Sequence, residues 1–131
     1  MLASFGSGRV RRPRSVNSDF VAGLLAHLHA IGVSGAPRHL GGNDQGRDIL
    51  TFLPGQTACH PADIDPAAFV ARGRMLRALH DATAGHPLAR GRECVTHGDR
   101  GLYNTVFEAG MPIAFIDWDS AGPQRGCRTS P

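Results

Sequence analysis

The chain has 131 residues, of which 41% are hydrophobic and 19% charged, and these proportions are typical of a single folded domain. Every one of its 14 basic side chains is an arginine, and the net charge of +3 permits an anionic ligand without requiring nucleic acid. No stretch predicts a membrane span, and the three cysteines, odd in number and without zinc-site spacing, favour a reduced, cytoplasmic setting.

The first part of the chain predicts three short strands around one helix. Residues 1–8 are small and glycine-rich, and we expect a frayed start there. A helix is expected at 18–31, because its apolar side chains recur at helical spacing and Asn17 or Ser18 can cap its start. Alternating residues bounded by turn formers predict strands at 9–12, 38–41 and 48–53.

The strongest helix signal covers residues 65–84. Asp65 is a favoured N-cap, Pro66 suits the first helical position, and Gly85 suits the C-terminal cap. Its predicted buried stripe consists of Phe69, Leu76 and Leu79. Beyond it, we expect two strands at 105–108 and 113–116 and an irregular end from residue 120.

The two last strands predict a hairpin with polar side chains at its open end. If residues 109–112 form the loop, Asn104 lies opposite Asp117, with Cβ atoms about 5 Å apart. An amide oxygen and a carboxylate suit Mg²⁺, which prefers hard oxygen ligands. Asp99 precedes this hairpin and adds a carboxylate of the kind that phosphoryl transfer uses to accept a proton.

Two segments carry a family resemblance. His97-Gly-Asp-Arg-Gly-Leu-Tyr-Asn104, followed by Ala-Phe-Ile-Asp-Trp-Asp at 114–119, resembles the catalytic loop and metal-binding segment of aminoglycoside phosphotransferases, which also resemble choline kinases. Weaker similarity upstream extends the match to about residues 9–123. The resemblance implies an α+β, protein-kinase-like fold in a single truncated domain. Its expected parts are an N-lobe remnant and hinge at 9–55, a partial C-lobe at 56–123 and an irregular tail at 124–131.

The resemblance implies an ATP-dependent phosphotransferase that acts with Mg²⁺ on a hydroxyl of a small molecule. Antibiotics, sugars and amino alcohols all fit as acceptors. Residue by residue, Asp99 would be the catalytic base and His97 would brace the loop. The remaining implied roles are metal binding by Asn104, Asp117 and Asp119, and nucleotide binding by Arg12 and the hinge residues Thr51, Phe52 and Leu53.

The chain departs from this family pattern in its phosphate-binding parts. There is no lysine to hold the nucleotide phosphates, so Arg11 or Arg12 would stand in, with Asp19 as a partner. The run at 6–8 is short for a glycine-rich phosphate loop. After Asp119 only residues 120–131 follow, whereas the family continues there into helices that build the substrate pocket.

Two other interpretations remain open from the sequence. One is a catalytically inert kinase-like fragment or binding module. The other is a metal phosphohydrolase of the His-Asp type, with His80 and Asp81 as ligands and His60 and Asp117 as further ones; that fold is all helical, and the strand segments argue against it.

Overall fold

The computed structural model describes residues 3–4, 9–51, 53–57, 62, 64–99 and 101–124. Within those ranges the chain forms two α-helices, α1 (Ser18–Ala30) and α2 (Pro66–Thr83), two short 3₁₀ turns, Pro87–Ala89 and Leu102–Asn104, and nine strands. The strands are β1 (Ala3–Ser4), β2 (Arg9–Pro13), β3 (His39–Gly42), β4 (Arg47–Thr51), β5 (Gln56–Thr57), β6 (Cys94–Thr96), β7 (Thr105–Glu108), β8 (Met111–Phe115) and β9 (Gly122–Gln124).

The N-terminal sheet has the strand order β1-β2-β4-β3, and all its pairs are antiparallel. The three predicted strands are confirmed, with ends shifted by one or two residues. The expected frayed start is wrong for Ala3–Ser4, which pairs with β2; residues 6–8 lie outside the described part of the chain. Helix α1 connects β2 to β3 and matches the predicted helix closely, because its apolar stripe packs into the core.

The core joins both helices to the C-terminal hairpin. Phe115 at its centre is 0% exposed, and burial of each such side chain contributes about 1.5–3 kcal/mol. The other large members are Leu24, Leu25 and Leu28 of α1, Leu76 and Leu79 of α2, and Trp118 after β8.

Helix α2 begins and ends as its capping residues predict. The Asp65 side chain accepts a hydrogen bond from the Ala67 N–H at 2.8 Å, and Gly85 adopts a φ of +72° just past the helix. One member of the predicted stripe is wrong: Phe69 is 39% exposed, because it lies at the N-terminal end of α2, outside the core cluster. The helical spacing indicates which face of α2 carries Phe69, but it does not indicate whether another element packs against that position.

The hairpin forms with a different register from the predicted one. A two-residue turn, Ala109–Gly110, joins β7 to β8, and both residues have positive φ, as the tight turns of twisted hairpins require. The register then shifts by one residue between Val106 and Phe107, so that Thr105 pairs with Phe115 instead of Ile116. Asn104 is not opposite Asp117; its carbonyl instead accepts a hydrogen bond from the Ile116 N–H at 2.8 Å.

Two further strands lie where the sequence predicted irregular structure. β5 pairs with β7, and β9 pairs with β6, so the segment after residue 120 is part of a small sheet. Cys94 of β6 is buried and disulfide-bonded, which the expected reduced cysteines did not anticipate. No helix in the described ranges is long and apolar enough to cross a membrane.

Candidate active site

The loop after β6 is held by a buried histidine. His97 is 1% exposed, and its Nε2 lies 2.7 Å from the Ile116 carbonyl oxygen, to which it donates. Its Nδ1 accepts a hydrogen bond from the Asp99 N–H at 3.1 Å. One imidazole thus connects the loop that carries Asp99 to the end of the hairpin. The two partners require the tautomer with its proton on Nε2.

Gly98 allows this loop to approach the segment that follows the hairpin. Its φ is +89°, and a Cβ atom at this position would lie 2.3 Å from the Ser120 carbonyl oxygen. Real Cβ atoms do not approach so closely, so a residue without a side chain is required here.

Two side chains next to Asp99 fix its position. Tyr103 donates its hydroxyl hydrogen to Asp99 Oδ1 at 2.7 Å, and Asn104 Nδ2 donates to the Asp99 carbonyl oxygen at 2.8 Å. The hydrogen bond to Asp99, followed by the charge of that carboxylate, raises the pKa of Tyr103, and the charge of Asp117 adds to the shift. The Tyr103 ring is exposed, and its hydroxyl reaches the site.

An arginine from the N-terminal sheet meets the two aspartates that follow the hairpin. Arg12 Nη1 lies 3.4 Å from Asp117 Oδ1, and Arg12 Nη2 lies 3.0 Å from Asp119 Oδ2. Trp118 between the aspartates is 4% exposed and donates from Nε1 to the Phe115 carbonyl at 2.8 Å. The buried indole anchors the segment in the core, so the acids on either side can both reach the guanidinium.

The predicted partner for this arginine is corrected. Asp19 at the start of α1 forms an ion pair with Arg14 instead, and Arg14 also lies 3.1 Å from Asp48 Oδ1. Of the two arginines considered, Arg12 is the one at the site. Arg11 is its neighbour on β2, and successive side chains of a strand point to opposite faces.

One cavity of about 230 Å³ lies between the N-terminal sheet and the hairpin. Arg12, Asp117 and Asp119 line it, and so do the predicted hinge residues Thr51 and Leu53. Phe52 falls outside the described residues. The predicted residues that do not line the cavity are His97, Asp99 and Asn104, which adjoin it through the contacts of the loop.

The two acids at this end of the cavity, with Asn104 in the adjoining loop, are of the chemical kind that suits a magnesium ion. Asp117 and Asp119 each present a carboxylate with two oxygens, and Arg12 contacts only one oxygen of each. The amide nitrogen of Asn104 is used by the Asp99 carbonyl, which leaves the amide oxygen available as a ligand. Hard oxygen donors of this kind, few enough to leave room for water and phosphate, are what Mg²⁺ prefers.

Comparison with known proteins decides the family. The model of the phosphotransferase enzyme family matches residues 18–124, which covers both helices and the whole catalytic-loop region. The chain belongs to this family. Family membership and the mixed α+β fold contradict the all-helical His-Asp phosphohydrolase alternative. His80 and Asp81 also line a different cavity from the one that Asp117 lines.

One curated relative is similar to most of this chain. The chain is 37% identical over 134 residues to the trifolitoxin immunity protein of Rhizobium leguminosarum bv. trifolii, a match that covers 90% of this chain and 51% of the relative. The chain therefore spans about half the length of this curated relative.

The solved structures confirm the protein-kinase-like fold. APH(2″)-IIa in complex with gentamicin matches with a TM-score of 0.61 at 11% identity, over 89% of this chain and 60% of that one. A ternary complex of APH(2″)-IIa with streptomycin and ATP matches with a TM-score of 0.59 at 9% identity, over 93% and 66%.

Proposed function

We propose that this chain carries the nucleotide site and catalytic loop of an enzyme that transfers the γ-phosphoryl group of ATP to a hydroxyl of a small molecule. The observation that supports this most is the position of Arg12. It meets Asp117 and Asp119 at one end of a cavity whose other wall includes the hinge residues Thr51 and Leu53. A cation and two acids beside an apolar cleft between two lobes suit a magnesium-bound nucleotide.

In this proposal the nucleotide lies between the N-terminal sheet and the hairpin. The apolar side chains of Val10, Val106 and Ile116 line the cavity and would contact the adenine faces. The backbone of residues 51–54 would hydrogen-bond the adenine edge, as the family resemblance implies. Arg12 would donate to the phosphates, with a permanent charge in place of the lysine that kinases use.

The proposed reaction is a direct displacement at the γ-phosphorus. The acceptor oxygen forms a bond to phosphorus, the bond to the bridging oxygen breaks, and ADP leaves. Asp99 would take the proton of the attacking hydroxyl, and the hydrogen bond from Tyr103 to Oδ1 would direct its other oxygen toward the acceptor. A magnesium ion held by Asn104, Asp117 and Asp119 would neutralise the phosphate charge. His97 would keep the loop in place.

The structural neighbours suggest which acceptors to test first. They are complexes with gentamicin and with streptomycin and ATP, and the curated relative is named for immunity to trifolitoxin. Aminoglycosides therefore come first in an acceptor screen, followed by sugars and amino alcohols. Dependence on ATP also favours the cytoplasm as the site of action.

A second candidate is a module that binds nucleotide without transferring phosphate. The observation in its favour is that the guanidinium of Arg12 already contacts both carboxylates, so that a metal must compete with it. This candidate predicts nucleotide binding with no turnover for any acceptor.

A thermal-shift titration with Mg·ATP tests the proposal. A ligand that binds only the folded chain at 100 times its Kd adds about 2.7 kcal/mol of stability, so the melting temperature should rise. Asp117→Ala should lose the magnesium-dependent part of the rise. Asp99→Asn should keep it and lose transfer by about a hundredfold or more. Asp81→Ala is the control, since Asp81 is an exposed acid paired with Arg77 on α2.

The outcomes separate the two candidates. A magnesium-dependent shift with transfer to an acceptor supports the enzyme. A shift with no transfer to any acceptor supports the binding module. A chain that shows no shift contradicts both. A shift that is the same in Asp117→Ala contradicts the magnesium site that the enzyme requires.

A further inference from the structure

The side chain of Asn17 connects the start of α1 to residues 117–121, the acidic segment that carries Asp117 and Asp119. Its Nδ2 donates two hydrogen bonds, each of 2.9 Å, to the carbonyl oxygens of Asp119 and Ala121. These contacts span 102 and 104 residues of sequence. The backbone that carries Asp119 is therefore attached to the helix that follows the strand of Arg12.

The Asn17 side chain makes these bonds instead of the capping hydrogen bond that is usual at its position. It is the N-cap residue of α1, where an asparagine normally accepts a hydrogen bond from a first-turn N–H. Its side chain makes no capping bond, and its backbone carbonyl accepts the first helical bond from the Val21 N–H at 3.0 Å. Two carbonyl acceptors require two donor hydrogens, which an amide supplies and which neither aspartate nor serine can.

The segment has other attachments, but they differ in kind from that of Asn17. Trp118 anchors it in the core, and Ser120 passes close to Gly98. Arg12 holds the Asp119 side chain through an ion pair that a metal or nucleotide must displace. Asn17 contacts only backbone carbonyls, so its attachment persists when the carboxylates change partners.

We propose that Asn17 is a positioning residue that fixes the acidic segment relative to α1 and β2, and thereby sets the geometry in which Asp119, and Asp117 through the intervening Trp118, meet the metal. This inference rests on the proposed function, because only a metal-bound nucleotide makes that geometry matter.

Asn17→Asp tests the proposal, because aspartate matches asparagine in size and is equally favoured as an N-cap but has no hydrogen to donate. Asn17→Ala removes the donors without adding charge. The matched control is Asp65→Asn, which exchanges the same two residues at the N-cap of α2.

Hydrogen exchange of the ligand-free chain, resolved to single amides by NMR, is the first measurement. Exchange at the amides of Ala121 and Gly122 should be about tenfold faster in both Asn17 variants, which corresponds to the loss of ordinary hydrogen bonds, and unchanged in Asp65→Asn. Unaltered exchange at these amides, or an equal acceleration throughout the chain, overturns the attachment.

Nucleotide titrations with and without Mg²⁺ are the second measurement, since a purely structural role would weaken both equally. Both Asn17 variants should lose about threefold to thirtyfold of the affinity that magnesium adds and keep the affinity for metal-free ATP. Altered exchange with unchanged magnesium assistance overturns the positioning role. A wild-type chain that binds no nucleotide contradicts the proposed function instead, and the exchange result then still decides the attachment by itself.

Discussion

Replacement of Arg12 by methionine should change metal binding and nucleotide binding in opposite directions. Methionine keeps a long, flexible side chain in the cavity but removes the charge that contacts Asp117 and Asp119. Without the guanidinium, both carboxylates are free for a metal ion. The same change removes the one described basic side chain that both lines the cavity and contacts these acids, so the phosphates of ATP lose their donor.

The exposure of the three side chains sets the size of the metal effect. Arg12 is 14% exposed, while Asp117 and Asp119 are 42% and 52% exposed, so water screens both ion pairs. Exposed pairs contribute roughly 0.2–1 kcal/mol each. Their combined loss, about 1 kcal/mol, should tighten Mn²⁺ binding to the nucleotide-free chain about fivefold.

The nucleotide effect should be larger because phosphate is a charged acceptor. Hydrogen bonds to charged groups contribute about 1.5–3 kcal/mol, so Arg12→Met should weaken Mg·ATP binding about tenfold to a hundredfold. Isothermal titration with Mn²⁺ alone, and then with ATP at saturating Mg²⁺, measures both constants. Arg14→Met is the control: it has the same change of charge, but Arg14 pairs with Asp19 and Asp48.

Two results would refute this reasoning. If Arg12→Met and Arg14→Met change both affinities equally, net charge rather than the specific contact is responsible. If Arg12→Met weakens Mn²⁺ binding, the arginine supports the metal site instead of competing for it.

Two stability predictions follow from the packing, both measured by urea unfolding. Gly98→Ala should lower the free energy of unfolding by about 3 kcal/mol or more, because the new Cβ meets Ser120. Gly110→Ala, at a similar φ but in open space, should lower it by about 1 kcal/mol. Equal losses in the two variants would argue against the close approach at Gly98. Leu76→Ala should lower the free energy of unfolding by about 2–5 kcal/mol, since Leu76 is 2% exposed. Val70→Ala, on the exposed side of the same helix, should lower it by less than about 0.5 kcal/mol. A similar loss of stability in both variants would contradict the assignment of Leu76 to the core.

Local signals in the sequence determined the elements and the family motif. The limits of α2 follow from Asp65 and Gly85, which act within one turn of the helix, and the hairpin follows from two short apolar runs. The catalytic-loop pattern is also local, because His97, Asp99 and Asn104 are neighbours in sequence. Such features need no knowledge of distant residues.

The hairpin register shows where local reasoning ends. A turn with Ala109 at positive φ is unfavourable for a residue with a side chain, and the sequence analysis predicted a four-residue loop at 109–112 instead. The sheet reverses that preference, because the tight turn matches its twist and lets β7 pair with both β8 and β5. Asn104 therefore lacks the direct pairing with Asp117 that was expected.

Only the tertiary structure decided which charged and polar groups meet. Arg12 and Asp119 are 107 residues apart in sequence, and Asn17 and Ala121 are 104 apart. Either side chain fits an ordinary surface role, an arginine at a strand end or an asparagine at a helix start. Their partners are selected when the buried core brings the two lobes together, and a pattern of local residue types does not encode that packing.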